Sequence, residues 1–125
     1  MIRRLKYKAI EPLSKAAVES AISRNDPDEL LYAVLSAALY SDDPHWAEAI
    51  CLRLAKHEHF NVRGNAILGL GHLARIHRQL HKTRVKPLIE AALRDESEYV
   101  RNQADAAADD VDFFLKWNVD RPNRA

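Results

Sequence analysis

The stretch VKPLIEAALRDESEYVRNQADAA at residues 85–107 decides the fold, because it repeats an earlier part of the chain. When the sequence is shifted by 38 residues, NVRGNA at residues 61–66 falls on YVRNQA at residues 99–104. Both copies contain an apolar helical pattern, a short polar turn and a second helical pattern. An internal period of this length is typical of a fold built from stacked helical hairpins.

Apolar residues at helical spacing locate the helices within these copies. In the second copy they comprise Leu88, Ala92 and Leu93 before the turn, and Val100, Ala104, Ala107 and Val111 after it. A more divergent unit precedes the repeat, with helical patterns at residues 12–24 and 28–40 and a breaker at residues 41–44. We therefore predict an all-α fold of six helices in three antiparallel pairs, and no useful β-alternation is found.

The predicted organisation is a single domain over residues 1–125. Its helical pairs span about residues 11–40, 44–78 and 82–116, and residues 118–125 are expected to be a frayed tail. The composition agrees with a helical globular chain, since 47% of the 125 residues are hydrophobic, 30% are charged and only three are glycine.

Other classes are disfavoured by what the sequence lacks. A lone cysteine, Cys51, excludes an internal disulfide framework and a cysteine-clustered zinc site. No apolar run approaches the roughly 20 residues that span a bilayer, and no signal peptide is evident at the start. We expect a cytoplasmic protein with no membrane partner and no cofactor.

Charge is distributed in bands along the chain. The formal net charge is only +1, which gives no case for direct nucleic-acid binding. Residues 11–48 carry eight acids against two bases, residues 53–86 carry eight bases against one acid, and residues 90–112 carry eight acids against two bases. Such banding is often only a solvated surface, but it is also compatible with a partner surface of defined charge pattern.

The second copy resembles a HEAT repeat: it has an apolar helix with an early proline, an acidic turn, then Val-Arg and a small residue. HFNVRGNAILGLGHLA at residues 59–74 supplies the matching half of the preceding unit. The resemblance implies a short α-solenoid of about three hairpins, whose second helices line one concave surface. It also implies that Arg63 and Arg101 have a structural role, hydrogen-bonding acidic turn groups of neighbouring units.

The phrases GNAILGLGHLARIH at residues 64–77 and ADDVDFFLKW at residues 108–117 are similar to small HEAT-like immunity proteins of bacterial polymorphic or contact-dependent toxin systems. That resemblance implies a protein that binds a cognate toxin domain and occludes its active site or substrate groove. The alternatives are a general HEAT-type scaffold or adaptor and, with less support, a HEAT-like lyase or ligand-binding module. The oligomeric state stays open.

Carboxylates in the last helix are the sharpest feature of the sequence. Asp105, Asp109 and Asp112 are spaced i, i+4, i+7 on one helix face, with Asp110 beside them. One interpretation is internal pairing with the preceding basic helix through Arg75 or Arg78. The other is a strip presented to a basic partner, for which a nuclease domain is the first candidate.

Six histidines raise the question of a metal site. His77 and His81 have the spacing i, i+4, but a helix boundary is expected between them, so we predict no metal. His72 lies on one helix face with Leu68 and Arg75. One interpretation is that His72 is hydrogen-bonded within the packing between helices, and the other is that these three residues contact a partner. No serine or cysteine nucleophile accompanies His72 at a recognisable spacing, so no catalytic residue is assigned and we expect no enzymatic activity.

Overall fold

A computed structural model describes residues 9–122, and within them the chain folds into six α-helices and no strands. The helices are α1 Lys15–Arg24, α2 Pro27–Tyr40, α3 Pro44–Leu54, α4 Phe60–His77, α5 Lys82–Ala92 and α6 Glu98–Leu115. The predicted all-α fold of six helices is confirmed, and it is consistent with a short solenoid of helical hairpins.

Polar residues ahead of the helices set where most of them begin. The side chains of Ser14, Asp26, Asp43, His59 and Ser97 each accept a hydrogen bond from a backbone N–H in the first turn that follows. Such caps satisfy donors that have no partner inside the helix. Helix α5 has no side-chain cap of its own. Instead, the carboxylate of Glu48 on α3 accepts the backbone N–H of His81 at 3.1 Å, which ties α3 to the start of α5.

Helix α4 is the centre of the fold and packs between α2 and α6. Its side chains Val62, Leu70 and Leu73 are fully buried. The predicted stripe of α6 is also buried, from Val100 to Val111. The packing of α5 differs from the prediction: Val85 and Ile89 are its fully buried residues, whereas Leu88 is only half-buried.

A glycine brings α4 and α6 unusually close together. A methyl group placed on Gly71 would lie 2.9 Å from the backbone Cα of Ala107. Backbone atoms cannot move aside as a flexible side chain can, so this contact requires glycine or a shift of one helix. The spacing of α4 and α6, and of every side chain along their line of contact, depends on it.

The segment after α6 is ordered, in contrast to the frayed tail expected from residue 118. Trp117 and Val119 are buried, and the backbone N–H of Val119 donates to Asp112 at 2.9 Å. The backbone N–H of Asp120 donates to Glu90 on α5 at 2.8 Å. Residues 117–121 therefore pack against α5 and α6 and cover this end of the described helices. Residues 123–125 of the expected tail lie outside the described residues.

None of the helices found in residues 9–122 has both the length and the apolar character that crossing a bilayer would require.

Candidate protein-binding site

The two repeat arginines hold the turns between helices, each in a different way. Arg63 forms a two-pronged ion pair with Asp95, in the turn of the next unit, with both N–O distances 2.9 Å. It also donates to the backbone carbonyls of His57 and Glu58 in its own unit. Arg101 donates only to the carbonyls of its own turn, at Asp95 and Glu96. Arg63 thus joins two units.

The hydrogen bond and charge of Arg63 hold the pKa of the Asp95 carboxyl below its usual value. Burial opposes this shift, and a hydrogen bond from the backbone N–H of Ser97 supports it. The direction shows that the ionised carboxylate is the form that the folded turn favours.

Three carboxylates of α6 converge on one arginine that the sequence analysis did not single out. Arg121 donates to Asp105 at 2.7 Å, to Asp109 at 2.8 Å and to Asp112 at 3.5 Å. Its side chain is only 17% exposed, while that of Asp109 is 69% exposed. The acidic strip is therefore paired internally, with the tail that folds back along α6.

This pairing corrects the interpretation that the strip pairs internally through Arg75 or Arg78, whereas the interpretation that the strip faces a basic partner stays a prediction. The internal partner is Arg121, and neither Arg75 nor Arg78 forms an ion pair with these three carboxylates within residues 9–122. Asp109 is the most exposed of the three carboxylates, at 69% against 40% for Asp105 and 30% for Asp112. Since Arg121 lies in a segment of ordinary polar composition, no local signal in the sequence could have identified it.

A second group of predicted residues does meet, along the line of contact between α4 and α6. We call this surface the α4–α6 seam and define it by Leu68, His72 and Arg75 on α4 and Asp110 on α6. Arg75 lies 2.8 Å from Nδ1 of His72. A guanidinium can only donate, so this ring nitrogen is the acceptor and the proton of the neutral imidazole is on Nε2.

Electrostatics in the seam favour a neutral His72. Burial lowers the pKa of His72, the charge of Arg75 lowers it further, and the carboxylate of Asp110 opposes them. Burial also raises the pKa of Asp110, against the charges of Arg75 and His72. The seam consequently presents the contacting pair Arg75 and His72 with the carboxylate of Asp110 in their electrostatic environment, and half-buried Leu68 lies on the same side of α4.

Arg78 lies at the end of α4, where its guanidinium carbon is 4.9 Å from the centre of the Phe114 ring on α6. It occupies the left-handed C-cap position, with φ 57°. Of the predicted partner-contact residues, the structure therefore brings Leu68, His72, Arg75, Asp110 and Arg78 to the α4–α6 contact. Asp105, Asp109 and Asp112 lie towards the tail.

The sequence analysis missed a further pair, which joins Glu48 in the first half of α3 to His81 at the start of α5. The carboxylate of Glu48, which is 4% exposed, accepts from Nδ1 of His81 at 2.7 Å, and the ring of His45 lies 5.8 Å from that of His81. In the described part of the chain, no three or more His, Cys, Asp or Glu side chains are arranged to hold a metal ion. The Cys51 thiol is fully buried, and burial raises its pKa to about 12, so it is not a thiolate near neutral pH.

Comparison with known proteins adds information about the fold. The sequence matches no protein-family profile and no curated protein sequence. The fold is similar to that of a chain in a solved structure described as the crystal structure of a CDI complex from Cupriavidus taiwanensis. The TM-score is 0.75 at 24% sequence identity, over 91% of this chain and 98% of that chain. Nearly the whole of that chain thus shares this arrangement of helices.

Proposed function

We propose that this chain is a protein-binding immunity protein of a bacterial contact-dependent inhibition system, acting in the cytoplasm. The observation that carries the proposal is the similarity in fold to a chain of a CDI complex, in which CDI is taken to mean contact-dependent inhibition. Its match to almost the whole length of that chain supports an equivalent unit rather than a shared fragment. The 38-residue internal period and the arginine-bridged turns support a HEAT-like solenoid as its architecture.

In this proposal the partner is a cognate toxin domain, and binding occludes its active site or substrate groove. No catalysis by this chain is required, because a rigid surface that covers the groove excludes substrate. The seam is suited to this role, since the contact between Arg75 and His72 holds both side chains in place and less of their freedom is lost on binding.

A nuclease is the first toxin class to test. Its basic substrate groove would match an acidic surface, and here Asp109 supplies the accessible part of one. Arg121 offsets part of that acidic charge, so the match rests on fewer carboxylates than the sequence alone suggests.

The experiment is co-expression with the toxin domain encoded beside this chain. We expect growth arrest by the toxin domain alone, rescue by the wild-type chain, and a complex of the two purified proteins in titration calorimetry. The variant His72→Ala, Arg75→Ala should lose rescue while keeping its helical circular dichroism. The matched control is Lys56→Ala, which changes an exposed residue just after α3. Arrest that persists with folded wild-type chain, together with no measurable binding, would refute the proposal.

A further inference from the structure

A continuous row of two cations and two aromatic rings runs across the ends of α4 and α6. Arg78 lies 4.9 Å from the centre of the Phe114 ring, the Phe114 and Phe113 rings meet edge to face at 4.8 Å, and Nζ of Lys116 lies 5.2 Å from the centre of the Phe113 ring. We call these four residues the cation–aromatic row. Phe113 is 67% exposed, the highest value among the large exposed hydrophobic side chains of the described residues.

The charges of this row are not balanced by the described part of the chain. Across residues 9–122, the ion pairs include neither Arg78 nor Lys116. Of the nearby carboxylates of α6, Asp109 and Asp112 are bound to Arg121, and Asp110 interacts with the charge of Arg75. The row is therefore a positive surface with an exposed aromatic side chain at its centre.

Stability of the helix ends explains only in part why these residues are cations. Arg78 and Lys116 occupy equivalent positions in the 38-residue period, and both have left-handed backbone angles, with φ of 57° and 59°. Glycine is the residue that this position favours, because a side chain is strained there. A cation near a helix C-terminus recovers part of that cost. At the end of α1 the same conformation is occupied by Asn25, a residue that tolerates it better.

We infer that the cation–aromatic row is the docking surface for an acidic face of the partner protein. Arg78 and Lys116 would pair with carboxylates of the partner, and Phe113 would enter an apolar recess between them. Arginine over an aromatic ring is an arrangement that interfaces favour, because the ring orients the guanidinium while leaving its edge free to donate. This inference rests on the proposed function and adds that the toxin domain presents an acidic area opposite the row, separate from the basic groove that would face Asp109.

The sign of the charge makes the inference testable by charge reversal. Titration calorimetry would compare the wild-type chain, Arg78→Glu, Lys116→Glu and their double variant against the toxin domain encoded beside this chain, at 50 and 300 mM NaCl. We expect the double variant to bind about 30-fold more weakly or worse, and wild-type binding to weaken at the higher salt. Phe113→Ala should weaken binding by a similar factor. The matched control Lys56→Glu reverses one exposed charge away from the row and should change affinity less than about threefold.

Two outcomes with the toxin domain would overturn the inference. Tighter binding by Arg78→Glu and Lys116→Glu would show that the row faces a basic surface. Unchanged affinity in both variants and in Phe113→Ala would show that the row lies outside the interface. Circular dichroism and thermal unfolding confirm that each variant is folded before its affinity is interpreted.

A second probe separates this inference from the proposed function. A synthetic peptide of glutamates flanking one leucine is titrated into the protein while the amide chemical shifts are recorded by NMR. The peptide should change the shifts of residues 78 and 113–116 in the wild-type chain and not in the double variant. If the toxin domain does not bind but these shifts occur, the proposed function fails and the acidic preference of the row stands. Absence of these shifts in the wild-type chain would refute the acidic preference. It would also be refuted if the wild-type chain bound a second copy of itself or RNA instead of the peptide and the double variant lost that binding.

Discussion

The guanidinium of Arg63 on α4 and the carboxylate of Asp95 in the α5–α6 turn form a two-pronged ion pair, with both side chains 17% exposed. Parallel hydrogen bonds of this kind are stronger and more directional than a contact between exposed charges. They fix how one helical pair stacks on the next, and the geometry of the α4–α6 seam depends on that stacking.

Replacing Arg63 by Ala should lower the free energy of unfolding by about 2–4 kcal/mol, because Asp95 loses its ion-pair partner and two turn carbonyls lose a donor. Arg101→Ala should cost only about 1 kcal/mol, since Arg101 binds carbonyls of its own turn alone. Urea denaturation of both variants measures the difference. Equal losses would show that the ion pair between units adds nothing to the stacking.

The pairing of Arg121 with the α6 carboxylates predicts a reversal of sign. In the wild-type chain, Asp109→Asn removes an ion pair and should lower stability by a few tenths of a kcal/mol, because Asp109 is well exposed. In the Arg121→Ala background the same change relieves repulsion between like charges and should raise stability by a similar amount. Arg121→Ala itself should cost about 1–2 kcal/mol, and part of that loss should be recovered at 500 mM NaCl.

Thermal unfolding of the four proteins at two salt concentrations provides this double-mutant cycle. If Asp109→Asn has the same sign in both backgrounds, Arg121 does not hold the strip. Asp105→Ala and Asp112→Ala in the wild-type background should also destabilise the protein, which separates internal pairing from a role in partner binding.

The helices could be predicted from the sequence because their signals are local. The apolar stripe of α6 and the breaker at residues 41–44 act within a few turns, and the structure places helix ends close to the expected positions. The role of Arg121 could not be predicted, since it depends on a tail that folds back over α5 and α6. The cap that Glu48 provides for α5 is likewise a contact between residues 33 positions apart, and no local pattern encodes it.

The lowered pKa of His72 leads to a prediction of how the free energy of unfolding depends on pH. Its folded pKa is lowered, first by burial and then by Arg75, so the unfolded chain takes up a proton before the folded chain does. The contribution of His72 is fully present above its unfolded pKa of about 6.5 and declines as the pH falls below that value. We expect the free energy of unfolding to decrease from pH 7 to pH 5, and to decrease less in His72→Gln.

The other five histidines are unchanged in His72→Gln, so the difference between the two pH profiles isolates His72. Glutamine keeps an acceptor for Arg75 and does not titrate. Parallel profiles over pH 5–7 would show that burial in the seam does not perturb this histidine.

The close approach of α4 and α6 at Gly71 leads to a prediction for Gly71→Ala. Alanine at a helix position normally adds about 1 kcal/mol over glycine, but here the new methyl group meets the backbone of Ala107 at 2.9 Å. We expect Gly71→Ala to lower the free energy of unfolding by about 1–2 kcal/mol and to weaken toxin binding through displacement of His72 and Asp110. Gly64→Ala should also destabilise the protein, because its methyl group would lie 2.8 Å from the ring of Tyr99, whose hydroxyl accepts a hydrogen bond from Asn65. A neutral or stabilising Gly71→Ala would mean that α4 and α6 separate without cost.

Substitution of residues 78 and 116 by glycine tests whether these two cations serve the stability of the fold or the binding of the partner. Arg78→Gly and Lys116→Gly relieve the strain of the left-handed conformation, which is about 1 kcal/mol, and lose a cation–ring contact of about 0.5–1 kcal/mol. Each variant also loses the interaction of the cation with the helix C-terminus, about 0.3–1 kcal/mol. The net change is a loss of at most about 1 kcal/mol, so we expect only a small decrease in the midpoint of urea unfolding. If the cations are retained for binding, both variants should nonetheless weaken the complex with the toxin domain by tenfold or more. The matched control is Asn25→Gly, because Asn25 has the same backbone conformation at the end of α1. This variant should leave the affinity for the toxin domain unchanged. A large loss of stability with unchanged affinity in Arg78→Gly would instead assign the cation to holding the end of α4.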